Sequence, residues 1–441
     1  MNESNPSVPE TGVSRRGFLK TTSAVVGGSI LGGLAIERSA FAAPDDTLKI
    51  VLVGCGGRGT GAASQALSTS GPVKLIAMAD AVPNRLQSSL ENLKKEHADR
   101  VDVPEDRQFI GFDAYKKAIA LADVVILATP PGFRPIHFEE AVNAGKNIFT
   151  EKPVAVDGPG IRRFLAAAKL SKEKNLKVGV GLQRHHQAGY LETIKRLHDG
   201  AVGDIVSMRC YWNGNRPWQH PRKAGQNEMQ FQMDNWYYFT WLCGDHIVEQ
   251  HIHNLDVINW VKQGHPIRAY GMGGCQSPRN SDCGEIFDHH AVQFEYADGS
   301  RCYSECRHIL NCWDSVSEHV QGTTGTADIS GYKITGPNKW QHKGKDPNPY
   351  QVEHDDLFHA IRNDLPYNEA EYGAHSTLTA IMGRMATYSG KVIDWDKALN
   401  SEVNLAPAEY SWDAKPKPEV GADGLYPMPI PGDARWAGKI I

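Results

Sequence analysis

Two short stretches concentrate side chains able to move protons. Thr150-Glu151-Lys152-Pro153 sets an ammonium beside a carboxylate, and GDHIVEQHIHNLDVINW, Gly244 to Trp260, places His246, His251 and His253 among Asp245, Glu249 and Asp256. A neutral imidazole accepts the proton of an alcohol while an ammonium holds the developing oxygen anion, so Lys152 and His253 together suit oxidation at a carbinol carbon. Glu249 is placed to orient the His253 ring and raise its basicity. The same stretch holds ligand types that zinc uses. Drawn as one helix, Glu249, His253 and Asp256 share a face with His246 nearby, whereas His251 lies about 200° from His253, beside Ile247, Leu255 and Ile258. Histidines that diverge in this way do not close on one ion, and HExxH is absent. No metal is expected, and His251 reads as a hydrogen-bonded core histidine.

Such groups act together only on a backbone that converges them. LKIVLVG from Leu48 is a continuous apolar run ending in glycine, the mark of a strand buried on both faces of a parallel sheet. VKLIAMAD, ADVVILATP, KNIFTEKP and LKVGVGLQ repeat the pattern, with helical stretches between them. This alternation predicts a doubly wound α/β domain, whose ligand crevice lies at the carboxyl ends of the strands. There Lys152 points into the crevice rather than at bulk water. Gln183, Arg184 and His185, ending the sixth strand, are candidates by position alone.

Gly54-Cys55-Gly56-Gly57-Arg58-Gly59 fits GxGxxG, with a strand before it and the small-residue helix Thr60 to Leu67 after it. The first glycine makes the tight turn, the second lets backbone N–H groups approach a pyrophosphate, and the third allows close helix packing. Asp80 closes the second strand about 20 residues later, where a carboxylate binds a ribose 2′-hydroxyl and repels a 2′-phosphate. NAD is expected rather than NADP, with Arg58 and Arg85 keeping NADP open.

After about Gln183 the pattern changes to helices and then alternating segments such as HAVQFEYADGSRCYSEC, where Asp298-Gly299 reads as a hairpin turn. The expected fold is α/β: an N-terminal Rossmann domain with a doubly wound parallel sheet, then a C-terminal α+β domain with a large, mostly antiparallel sheet. The expected boundaries are 43–183 for the first, 184–400 for the second and 401–441 for a Pro-rich tail wrapping the surface.

Residues 1–42 are a different material. Ser14-Arg15-Arg16-Gly17-Phe18-Leu19-Lys20, the apolar run Ala24 to Ile36 and Ala40-Phe41-Ala42 read as a cleavable twin-arginine export signal. The run is shorter than the ~20 residues that span a bilayer, so no stable membrane anchor is expected. The implied partner is the twin-arginine translocation machinery, and the destination is periplasmic or extracellular. That route carries folded cargo, which implies a cofactor loaded before export. At 441 residues, 41% hydrophobic and 22% charged, the chain is ordinary globular material of two domains or more, and a net charge of -4 without a Lys/Arg stripe argues against nucleic acid. The eight cysteines contain no CxxC pair and read as buried free thiols, although an oxidising destination permits a disulfide, Cys302, Cys306 and Cys312 being nearest in sequence.

Taken in order, GCGGRG, Ala79-Asp80, ATPP at 128–131 with His137, AVNAGKNIFTEKP, the His-rich stretch and NEAEYGAHSTLTAIMGRMATYSGK resemble the glucose-fructose oxidoreductase and inositol dehydrogenase family, written Gfo/Idh/MocA. The likeness runs from Leu48 to about Leu399. It implies an NAD(P)-dependent oxidoreductase acting on a sugar, in which the lysine of EKP meets substrate and nicotinamide and a DxGxHxxD helix supplies a histidine and an acid. It also draws Thr129, Pro130, His137 and Glu151 into the cofactor site. Here Glu249 stands for the usual aspartate and His251 for the usual glycine. The export signal, glycine loop and His-rich helix resemble the subset of NAD-dependent glycosidases that includes alpha-N-acetylgalactosaminidases. Their implied chemistry is redox-neutral: oxidation, elimination of the glycosidic group, addition of water and re-reduction. A closed cycle needs no pool of free coenzyme outside the cytoplasm. Sugar or polyol dehydrogenation and sugar-to-sugar exchange are the alternatives, and a secreted sugar-binding protein with structural NAD is the alternative of another class. Tyr190, Tyr211 and Tyr237 are candidates for a second acid/base, Tyr190 foremost. The aromatic run Asn235 to Trp241 offers flat faces to a pyranose, and an open antiparallel sheet would make a homo-oligomer face.

Overall fold

The computed structural model describes residues 46–441, so the expected export signal, 1–42, lies outside the described residues. The first sheet is parallel and six-stranded: β1 (Leu48–Val53), β2 (Val73–Asp80), β3 (Gln108–Ile110), β4 (Val124–Leu127), β5 (Asn147–Thr150) and β6 (Val178–Val180) in the order β3-β2-β1-β4-β5-β6. The order reverses between β1 and β4, where Val53 pairs with Leu127, and a crevice opens beyond their carboxyl ends. Continuous apolar sequence does what it should here, since Ile50 to Leu52 and Val124 to Leu127 are fully buried.

The second sheet has nine strands: β7 (Ile205–Gly214), β8 (Arg268–Gly274), β9 (His289–Glu295), β10 (Arg301–His308), β11 (Ser315–Gly322), β12 (Thr326–Asp328), β13 (Lys333–Thr335), β14 (Trp340–Gln341) and β15 (Ile393–Asp394). Every pairing in it is antiparallel except β7 with β10. The hairpin at Asp298-Gly299 joins β9 to β10, with Gly299 at positive φ. One face of this sheet packs on the helices Ile252–Lys262 and Ala370–Ser389. The other leaves Tyr270, Met272 and Tyr303 exposed.

The segment 184–400 is not confined to the second sheet. The helix Pro349–Arg362 lies back on the first helix, Gly57–Leu67, and its Leu357 and Phe358 complete the apolar layer formed by Ile50, Leu52 and Ile126. The chain then adds to the edge of β6, where Val178 N–H donates to Tyr367 and Glu369 N–H to Val178. A sheet packed on both faces needs a helix here, and local periodicity does not say which distant helix supplies it. The tail wraps the surface but also enters the core: Tyr426 is fully buried against Phe231 and Phe239. All eight cysteines are free thiols, with Cys302 and Cys306 buried on β10 and Cys312 exposed. Among the described residues, no helix is long and apolar enough to cross a membrane.

Candidate active site

A cavity of about 990 Å³ lies across the carboxyl ends of β1, β2 and β4 and continues to the helices of the second domain. The glycine turn forms its floor. Gly54 sits at φ +94°, where a Cβ would also come within 2.5 Å of the Thr129 amide nitrogen, so no other residue fits without strain. A Cβ on Gly59 would lie 2.0 Å from the Gly54 carbonyl oxygen, which explains the close approach of helix Gly57–Leu67 to the strand. Gly56 and Gly57 meet nothing within 4 Å, which leaves the backbone at the helix N-terminus bare for an anionic group. Asp80 accepts from the amides of Cys55 at 2.6 Å and Val82 at 2.8 Å, and burial raises its pKa, against which the hydrogen bonds and Arg85 act. A bare glycine turn, a helix N-terminus and a carboxylate at the end of β2 are the donor and acceptor set that a dinucleotide with two ribose hydroxyls requires.

At the other end the reactive groups meet. Lys152, Glu249 and His253 all line the cavity. Lys152 Nζ donates to the Glu249 carbonyl oxygen at 2.6 Å and to Glu249 Oε1 at 3.1 Å. Glu249 therefore holds the lysine rather than orienting the His253 ring, as expected from sequence. The reason is a break: the His-rich stretch forms two helices, His246–Glu249 and Ile252–Lys262, and the His253 amide donates to Gln250. A continuous helix would have directed that amide to the Glu249 carbonyl. Freed by the break, this carbonyl takes the ammonium instead.

His253 stacks on Trp212, with centroids 5.8 Å apart and planes at 23°. Its Nδ1 is buried without a partner, which leaves Nε2 for the cavity. Burial first, then Lys152 and Arg184, hold its pKa well below the ordinary value, so the ring is neutral near neutral pH and free to accept a proton. His137 also lines the cavity, bonded to Thr129 Oγ1 through Nδ1 at 3.2 Å; burial and Arg134 lower its pKa to about 3.

The remaining expected site residues divide. Gly54, Gly56, Gly57, Arg58, Gly59, Asp80, Arg85, Thr129, Pro130, His137 and Glu151 line the cavity. Gln183 does not: β6 ends early and turns into a 3-10 helix, Gln183–His186, so Gly181 reaches the cavity in its place. Asp256 is likewise off the cavity, one helical turn deeper than His253, and bonds His185 Nε2 at 2.9 Å and Ser376 Oγ at 2.8 Å. His185 is stacked on Trp260 and Tyr372 and faces away from the site. Tyr190 donates to buried Glu318 at 3.0 Å, where Arg184 and Asn254 also bond, so it belongs to the support under the helix Ile252–Lys262. Tyr211 meets Trp313 and His319, and Tyr237 is buried beside His308.

Of the aromatic run, Trp236 reaches the cavity and Tyr237, Tyr238, Phe239 and Trp241 are buried. Sequence reasoning passed over Arg134, Trp218, His220 and Tyr350, which also line it. Arg134 is fully buried and ties the end of β4, donating to Leu127 and Thr129, both at 2.6 Å. Tyr350 lies over the Arg58 guanidinium, itself paired with Glu151 at 2.8 Å. None of the four has a local signal: each reaches the site through a loop or helix placed by the fold.

The other two histidines of the His-rich stretch turn away from the cavity to separate partners. His251 bonds Ser304 Oγ at 2.7 Å within the core. His246 instead meets Asp245 and His290 of β9, their ligand atoms within 4.8 Å of one another. Asp245 there accepts from the Tyr388 hydroxyl, the Phe287 amide and the His246 amide, a hydrogen-bonded buried carboxylate at the start of a helix.

Fold and site define a nicotinamide-dependent oxidoreductase with a Rossmann domain and an α+β partner domain. Residues 48–182 match the oxidoreductase family with an NAD-binding Rossmann fold, GFO_IDH_MocA, and residues 190–328 match the GFO/IDH/MocA C-terminal domain. The chain belongs to the Gfo/Idh/MocA family and carries that family's NAD-binding Rossmann domain. Inositol 2-dehydrogenase of Salmonella paratyphi B is 24% identical over 341 residues, 73% of this chain and 88% of that protein. An uncharacterized oxidoreductase of Streptococcus pneumoniae is 26% identical over 223 residues, 49% of this chain and 54% of that one, so the match spans about half of its length. Among solved structures, scyllo-inositol dehydrogenase of Lactobacillus casei with bound NAD(H) and scyllo-inositol shares the fold at TM-score 0.58 and 20% identity, covering 79% of this chain and 99% of that one. Aldose-aldose oxidoreductase of Caulobacter crescentus does so at 0.62 and 19%, with the same coverage.

Proposed function

We propose that the protein oxidises a secondary alcohol of a sugar or polyol ring with NAD that stays bound, and that its favoured reaction is redox-neutral cleavage of a glycoside. The supporting observation is Lys152 and His253 on one cavity with the glycine turn, one a fixed cation and the other a neutral base. Bound NAD supplies the hydride acceptor. Two of the three N–H donors of Lys152 are engaged by Glu249, which leaves the third for the substrate oxygen. His253 Nε2 takes the hydroxyl proton, and Lys152 stabilises the oxygen as charge develops. In the resulting ketone the neighbouring C–H is acidic: once His253 has passed the first proton to solvent it takes this one, the ammonium of Lys152 holds the enolate, and the glycosidic oxygen leaves as an alcohol with the proton from His253. Addition of water and re-reduction leave a sugar and an alcohol, with no net change of redox state.

The pattern at Ser14 to Lys20 supports twin-arginine export to the periplasm or beyond with the cofactor aboard, which a closed cycle suits. The exposed outer face of the second sheet, with Tyr270, Met272 and Tyr303, supports a homo-oligomer paired through that face.

The test follows the absorbance of bound NAD while purified protein meets aryl glycosides and free sugars. Aglycone release with no lasting NADH supports cleavage. NADH that a second sugar discharges points to hydride exchange, and lasting NADH to simple dehydrogenation. Silence in every arm overturns the enzymatic reading and leaves a binding protein with structural NAD.

A further inference from the structure

The cavity that holds Lys152 and His253 is also lined by three rings that neither cofactor nor reacting carbon accounts for. They are Trp218, His220 and Trp236, and Trp218 keeps 42% of its surface exposed. An exposed indole on a loop ordinarily folds onto the nearest apolar surface, but the chain is anchored on both sides of Trp218, at Pro217 and at His220. On one side the Tyr238 hydroxyl donates to the Pro217 carbonyl at 2.8 Å. On the other, the fully buried Asn235 grips the backbone of His220 twice, accepting from its amide at 2.8 Å and donating to its carbonyl at 3.0 Å.

The rings are ordered by these clamps. Trp218 stacks on His220 with centroids 5.3 Å apart and planes at 20°, and meets Trp236 at 6.0 Å. Edges of Tyr237 and Tyr238 back it at 6.5 Å. The carboxylate beside the rings is already matched, since Asp234 accepts from Lys223 at 3.1 Å and Gln226 at 2.8 Å. A rigid aromatic wall with little free charge, left wet at the mouth of a reactive cavity, selects a flat apolar ring face rather than an ion.

We propose that Trp218, His220 and Trp236 form a second subsite, which stacks a six-membered ring joined through the glycosidic oxygen to the sugar oxidised at Lys152 and His253. This rests on the carbinol-oxidation reading. The shared chemistry is the flat face, which either a pyranose unit or an aryl group presents.

Three substrates built on one sugar separate these sources: the free monosaccharide, its aryl glycoside and its disaccharide. In Trp218→Ala the preference for the glycosides over the monosaccharide, as a ratio of kcat/KM, falls about tenfold through KM, and Trp218→Tyr restores most of it. The glycoside that loses more identifies the ring. A ratio unchanged in Trp218→Ala overturns the subsite. A C-glycoside, whose second ring is joined through carbon and cannot be expelled, titrated by calorimetry against holoenzyme, gives a readout free of cleavage. Binding about tenfold weaker in Trp218→Ala upholds the subsite even where no sugar is oxidised, and equal or absent binding in both proteins overturns it.

Discussion

Lys152 reaches 97 residues along the chain to Glu249, and this pair makes the ammonium a fixed donor. Lys152→Ala is expected to lower kcat by roughly 10²–10⁴ while the protein still purifies with NAD, because the glycine turn is untouched. Glu249→Gln keeps the carbonyl contact and loses only the carboxylate, so its loss should be smaller, about tenfold. His253 acts as a base when deprotonated, and burial with Lys152 and Arg184 depresses its pKa. Activity should therefore hold as pH falls through about 6.5, where an ordinary imidazole titrates, and fail only further into acid. A kcat/KM profile on holoenzyme checks this, and an acid limb at about 6.5 contradicts the assignment. Gly59→Ala puts a methyl 2.0 Å from the Gly54 carbonyl; the variant should purify without NAD and melt earlier.

The break between His246–Glu249 and Ile252–Lys262 shows how a local departure from helical phase rearranges a site. It releases a carbonyl to Lys152 and takes Glu249 out of the helix that His253 and Asp256 share. The 3-10 helix Gln183–His186 is held with comparable care. His186 bonds Asp356 at 2.7 Å and Glu369 at 3.1 Å, tying it to the helix Pro349–Arg362 and to the strand-like return beside β6. Burial works against the charged ring, but these carboxylates lift its pKa to about 10. A folded pKa above the unfolded value of about 6.5 means stability present below that value and lost as pH rises through the folded one. The melting temperature should fall from pH near 6.5 toward 10 more steeply in the native protein than in His186→Gln, measured by scanning calorimetry.

The cofactor cavity is closed by parts far apart in the chain. Tyr350 covers Arg58 from the second half, and aromatic residues of the tail pack behind Phe112 and Phe133 on its rim. NAD so enclosed should survive gel filtration and appear in the absorbance of denatured protein. The outer sheet face argues at this level too. If it pairs two copies, Met272→Glu, at a position 79% exposed, should lower the mass seen by light scattering without changing the spectrum of bound NAD.

The strands of the first sheet, the glycine turn and Asp80 were legible in sequence because each is settled within a few residues. Burial on both faces demands an unbroken apolar run, and a positive φ crowded by Thr129 demands glycine at position 54. Lys152 and His253 were legible as chemistry and as members of a family pattern. Their partners were not. Asp256 was assigned by the helical face it shares with His253, Tyr190 by neighbourhood and Gln183 by the assumed length of β6. Trp218, His220 and Tyr350 left no mark, because which loop closes a cavity depends on how two sheets and a returning helix pack. Local sequence determined where a dinucleotide binds and which side chains can move a proton; tertiary packing alone decided that Glu249 serves the lysine and which rings face the substrate.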